Sequence, residues 1–73
     1  MPLSMVNPGQ SVILKSIRWG SKLRKKLYDM GLTEGVKITV ISDNINGAFI
    51  INVRGSRVVL GSSLTNQIIV DVI

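Results

Sequence analysis

The chain has 73 residues, 45% of them hydrophobic and 18% charged, which describes one small globular domain rather than a disordered segment. It contains no cysteine and no histidine, so disulfides, thiolate metal clusters, the usual proton shuttle and the commonest metal ligand are all excluded. The only carboxylates are Asp29, Glu34, Asp43 and Asp71. A conventional hydrolytic triad or a tight transition-metal site finds no material here, and a compact binding module remains. The net charge of +5 and a pI near 10.3 suit an acidic partner, a nucleic acid or an anionic membrane surface.

Met1 to Val6 shows no basic segment followed by an apolar stretch, so no signal peptide is expected. No apolar run approaches the roughly 20 residues that a membrane-spanning helix needs. The expected location is the cytoplasm, and the expected organisation is a single domain over 1–73.

Valine and isoleucine supply 19 of the 73 residues, a bias toward strands because branched side chains fit a pleated surface. Asn7-Pro8-Gly9-Gln10 places Pro and Gly at the centre of a type II turn. Ser11 to Ile17 follows as a first strand, with apolar residues on both faces that predict burial on both sides. Gly20-Ser21 breaks it. Ser21 to Met30 reads as the one substantial helix, with Ser21 as N-cap and strong helix formers inside. Leu23, Leu27 and Met30, at i, i+4 and i+7, form an apolar stripe expected to face the core. Gly31 suits the left-handed residue that ends the helix, with Leu32 folding back as its hydrophobic partner.

Glu34-Gly35 turns the chain into a second strand, Val36 to Ser42, and Asn46-Gly47 signals the next turn. Ala48 to Arg54 and Arg57 to Leu60 read as a hairpin. A type II′ turn at Gly55-Ser56 would set Val53 opposite Val58, Ile51 opposite Leu60, and Arg54 opposite Arg57. Ser62 to Gln67 reads as a short helical turn, and Ile68 to Ile73 as the last strand. The fold class is therefore mainly β: a small SH3-like barrel of about five strands, with one α-helix inserted after the first strand to plug or cover an opening.

The segment Leu23-Arg24-Lys25-Lys26-Leu27-Tyr28-Asp29-Met30-Gly31-Leu32-Thr33-Glu34-Gly35 resembles the signature of the FeoA family, L-R-x-x-L-x-x-M-G-L-x-x-G. Pro8-Gly9 with the strand holding Ile13 and Ile17, and the tip Val53-Arg54-Gly55-Ser56-Arg57, extend the resemblance over roughly the whole chain. The resemblance implies a small cytosolic SH3-like barrel of ferrous iron uptake, without catalytic activity. Its implied partner is the membrane iron transporter FeoB, through that transporter's cytosolic part. The same fold is expected as the C-terminal module of iron-dependent repressors. Two features depart from the family pattern. Trp19 stands where the loop usually carries small residues, and Gly61 to Gln67 is poorer in charge than usual.

Six of the nine basic residues, Lys15, Arg18, Lys22, Arg24, Lys25 and Lys26, lie within twelve positions, and no acid precedes Asp29. The cluster reads either as an electrostatic docking face or as an ordinary solvated helix face. Tyr28, about 140° around the helix from Leu23, is expected on the side away from the apolar stripe, between Arg24 and Lys25, as an exposed interface aromatic or a ring lying over aliphatic stems. Trp19 either extends that surface or folds inward. Arg54 and Arg57 at the hairpin tip would repel one another unless an anion, a partner carboxylate or solvent intervenes. The candidate partner-binding residues are thus Trp19, Lys22, Arg24, Lys25, Tyr28, Arg54 and Arg57. No catalytic residue, cofactor site or metal site is expected, and iron coordination would be weak or shared with a partner. The alternative function is a basic SH3-like module that binds nucleic acid. It is disfavoured because the three aromatic residues do not interleave with basic ones as a stacking platform would.

Overall fold

The computed structural model describes residues 1–18, 21–45 and 48–73, with the backbone path alone for Ser21, residues 43–45 and Ser62. Five strands, β1 (Ser11–Ile17), β2 (Lys37–Ile45), β3 (Ala48–Val53), β4 (Ser56–Gly61) and β5 (Ile68–Val72), form one antiparallel sheet in the order β4-β3-β2-β1-β5. Helix α1 (Ser21–Asp29) follows β1, and the single turn α2 (Ser62–Thr65) carries the chain from β4 at one edge to β5 at the other. This is the expected SH3-like arrangement. Expected strand and helix boundaries agree with those observed to within a few residues.

Curvature comes from irregular pairing. The β1–β5 register shifts between Leu14 and Ser16, and the β2–β3 register shifts between Val40 and Ser42 and again before Ile45. An extra residue on one strand bends it and increases its twist, which lets a short sheet curl around its own core. The shift at Lys15 also explains the burial of β1. Val12 and Leu14 are buried, Lys15 is exposed, and the inward position then moves to Ile17. Burial on both faces, expected from the apolar residues of this strand, holds only in part: Ile13 is half-buried on the outward side.

The turns are built as their residues dictate. Gly9 has φ +89, and the Gln10 N–H donates to the Asn7 carbonyl at 3.1 Å, so Pro8-Gly9 forms the expected type II turn. At the end of α1, Gly31 has φ +92; its N–H donates to the Tyr28 carbonyl and that of Leu32 to the Leu27 carbonyl, both at 2.9 Å. These two bonds define a Schellman motif, and the buried Leu27 and Leu32 supply its hydrophobic contact. The Asn46-Gly47 turn lies outside the described residues. So does the Ser21 side chain on which the N-cap expectation rested.

The core joins the inward residues of all five strands, among them Val12, Leu14, Ile38, Val40, Ile51, Leu60 and Val70, to Leu27 and Leu32 from the helical segment. Leu23 packs against this cluster from α1. Met30 does not: it is 40% exposed, contrary to its place in the expected stripe. The helix ends at Asp29, so Met30 no longer follows the 100° rotation, and Leu32 beyond the glycine fills the core instead.

The N-terminal segment contributes more than its sequence suggested. Leu3–Met5 form a 3₁₀ turn, and Leu3 and Val6 are buried in the main core. Met1 and Val70 exchange two bonds, the Met1 nitrogen donating to the Val70 carbonyl at 3.0 Å and the Val70 N–H to the Met1 carbonyl at 2.7 Å. Pro2 pairs with Ile69. The segment therefore covers part of the outer edge of β5, an edge that would otherwise present unpaired backbone groups.

Candidate docking surface

The residues expected to meet a partner fall into a helix group and a hairpin group. All six clustered cations, Lys15, Arg18, Lys22, Arg24, Lys25 and Lys26, are exposed. Arg24 also has a structural contact: its Nη2 donates to the carbonyl of Ile17, the last residue of β1, at 3.3 Å. This bond ties the first turns of α1 back to the strand before it. Trp19 lies outside the described residues.

Tyr28 is not the freely exposed aromatic that its helical angle suggested. It is half-buried and packs against the core. Although it lies far around the helix from Leu23, it is only one residue, or about 100°, from the buried Leu27. Its hydroxyl donates to Oε1 of Glu34 at 2.5 Å, spanning the Gly31–Glu34 connection. The hydrogen bond to Glu34 holds the phenol pKa above its ordinary value of 10.0, with desolvation and the Glu34 charge acting in the same direction and the Arg24 charge opposing them. Glu34 gave no direct signal in sequence, because its partner lies across a glycine that reverses the chain.

The hairpin is built differently from the expected one. The observed register pairs Val53 with Ser56, Asn52 with Arg57, Ile51 with Val58 and Phe49 with Leu60. The central turn residues are thus Arg54 and Gly55, with φ +53 and +80, a type I′ pattern rather than II′. The Gly55 N–H donates to the Asn52 side-chain oxygen at 3.1 Å. Arg54 and Arg57 are therefore not opposite one another. Arg57 faces Asn52, and the Arg54 guanidinium reaches Thr33 Oγ1 at 3.4 Å, beside the Tyr28–Glu34 pair. The slip displaces the pairing by two positions, so the same side chains still point inward. Both registers satisfy the hydrophobic pattern, and the observed one adds a residue pair to the ladder.

The outer face of the sheet carries a polar row. Register places Ser11, Thr39, Asn52 and Arg57 side by side across β1, β2, β3 and β4, with the Ser11 and Thr39 hydroxyls 2.9 Å apart. Beside this row Lys37 lies next to Ile13 of β1. A shallow groove of about 450 Å³ runs here, lined by Val36, Lys37, Thr39, Ile41, Asn52, Arg54 and Gly55. None of its lining residues is acidic.

Among the described residues, no group of three or more acidic side chains is placed to hold a metal ion, and no helix is long and apolar enough to cross a membrane. The arrangement offers cations, hydrogen-bond donors and acceptors, and partly exposed apolar groups, which is material for recognising another molecule.

Comparison with known proteins gives a consistent result. The FeoA domain, as a sequence family, matches residues 1–72. A Methanocaldococcus jannaschii protein, provisionally named Fe(2+) transport protein A, is 37% identical over 70 residues, covering 96% of this chain and 84% of that protein. The crystal structure of an iron uptake regulatory protein, FeoA, is also 37% identical. It matches with a TM-score of 0.91, covering 100% of this chain and 96% of that one. A manganese-dependent transcriptional repressor matches with a TM-score of 0.90 at 16% identity, with this chain corresponding to 41% of the repressor. At that identity the likeness is one of fold. Signature, fold and relatives agree: the chain belongs to the FeoA family, whose members are involved in Fe(2+) transport.

Proposed function

We propose that the protein is a non-enzymatic accessory module of ferrous iron uptake that works by binding the cytosolic part of a FeoB-type membrane transporter. One observation carries the reading within the family frame: six of the nine basic residues are clustered from the end of β1 through α1, and all six are exposed. Charge gathered on one side of a small domain steers it toward an acidic surface and orients the encounter. Tyr28 and Arg54 border this face through the Gly31–Glu34 connection, adding an aromatic ring and a guanidinium of the kinds enriched at protein interfaces. The absence of histidine and cysteine from the chain supports action by contact rather than by chemistry.

The test is retention of the protein by the immobilised cytosolic domain of the transporter, comparing wild type with Arg24→Glu, Lys25→Glu and Tyr28→Ala. Lys25→Glu separates docking from folding, because Arg24 and Tyr28 also make the structural contacts described above. The expected result is retention of wild type and reduced retention of all three variants. Equal retention of all four would remove this face from the interface, and no retention of wild type would count against the partner.

A further inference from the structure

We infer that the groove on the outer face of β2 and β3 is a second recognition site, which takes an acidic peptide segment bearing carboxylates beside an aliphatic side chain. The groove lies on the sheet rather than on α1 and shares only Arg54 with the docking surface proposed above, and its test does not involve the transporter.

The first reason is the identity of the residue at the tip. Arg54 holds φ +53, a conformation disfavoured for residues with a Cβ and ordinarily filled at this turn position by Asn, Asp or Gly. Nothing in the turn requires arginine. The polar contact that closes the tip is made by Asn52 to the Gly55 N–H. The bond from Arg54 to Thr33, at 3.4 Å and exposed, is too long and too wet to account for the choice. A side chain that holds a disfavoured backbone position without a local return is explained by a contact beyond the chain.

The second reason is uncompensated charge. Lys37 opens β2 and Arg54 stands in the turn after β3, and both line the groove wall. Like charges that share a wall repel. No acid lines the groove. The acid in the same row of the sheet is Asp71 on β5, separated from Lys37 by the width of β1 at Ile13. The groove wall thus carries two cations and no acid, which suits an anion.

The rest of the lining selects the kind of anion. Val36 and the 40%-exposed Ile41 give the groove an apolar part, while Thr39 and Asn52, paired across β2 and β3, supply hydrogen-bonding groups. A nucleic-acid backbone would favour a longer basic stripe with a polar floor. Two cations beside an aliphatic patch fit a carboxylate side chain followed or preceded by an aliphatic one, as an extended acidic peptide presents them.

The experiment follows backbone amide shifts of the isotope-labelled protein by NMR during titration with four probes. These are a blocked peptide with glutamates on both sides of a leucine, its glutamine analogue, inorganic phosphate, and a short single-stranded DNA at low salt. Saturable shifts of Lys37, Thr39, Asn52 and Gly55 are expected with the acidic peptide. Binding is expected to weaken about twofold to fivefold with the glutamine analogue, and by a similar factor with Lys37→Gln or Arg54→Asn, the range for exposed charged contacts. Arg54→Asn is expected to keep or raise the melting temperature, because asparagine tolerates the turn conformation. Equal affinity for the glutamine analogue, tighter binding of phosphate or DNA to the same amides, or no saturable shift would each overturn the inference. A lowered melting temperature for Arg54→Asn with unchanged peptide affinity would assign Arg54 to the fold instead.

Discussion

Tyr28 and Glu34 form a contact that a single titration can read. Because Tyr28 is the only tyrosine, the phenolate absorbance band reports it alone. Its pKa is raised above 10.0, chiefly by the hydrogen bond to Glu34, so the folded state keeps the phenolic proton at a pH where the unfolded chain has lost it. The resulting stabilisation is fully present below pH 10 and is lost as pH rises through the folded-state pKa. The absorbance midpoint should lie above that of unfolded protein, and Glu34→Ala should bring it down. Tyr28→Phe should remove the corresponding part of the pH dependence of stability, measured by denaturant unfolding on either side of pH 10. Gly31 gives a second test at the same scale. An added Cβ would meet only Val53 Cγ1, at 3.9 Å, an ordinary contact. Gly31→Ala should therefore act through its positive φ alone, costing about 1 kcal/mol in chemical denaturation.

Among the elements, the N-terminal 3₁₀ turn most exceeds its sequence signal. Leu3 is fully buried, so Leu3→Ala should lower unfolding free energy by about 2–4 kcal/mol, as other large-to-small core changes do. A loss below about 0.5 kcal/mol would mean that the turn does not hold the core together. How far the elements can be read from sequence depends on whether the deciding interaction is local. Gly31 with Leu32, and Pro8 with Gly9, are local devices, and both are built as their residues predict. The hairpin register is not fixed locally. Its two candidate pairings differ by two positions and present the same inward residues, so periodicity does not distinguish them. Helical angle likewise misplaces Met30 and Tyr28. The former lies beyond the last helical residue, and the latter finds its partner on the far side of a reversal in the chain. Leu3 and Val6 carry a weak hint in their i, i+3 spacing, but their burial depends on pairing with β5, whose sequence lies more than sixty residues away. At the candidate surface, the basic cluster is legible as a run of residues. The neighbourhood of Arg54, Thr33, Glu34 and Tyr28 exists only once the barrel is closed.

For the whole molecule, composition and fold point the same way. A barrel of this size uses its apolar residues to maintain one core, and the six clustered cations remain exposed. Exposed cations gathered from β1 through α1 suit the orienting of an acidic partner. Such an encounter should weaken as salt screens the basic face, while contacts made by Tyr28 should persist better. The most direct measurement is an amide-shift titration of the labelled protein with the purified cytosolic domain of the transporter. Saturable shifts concentrated in α1 and the Gly31–Glu34 connection are expected, reduced by Lys25→Glu. Absence of saturable shifts, or shifts confined to surfaces remote from α1, would contradict docking through this face.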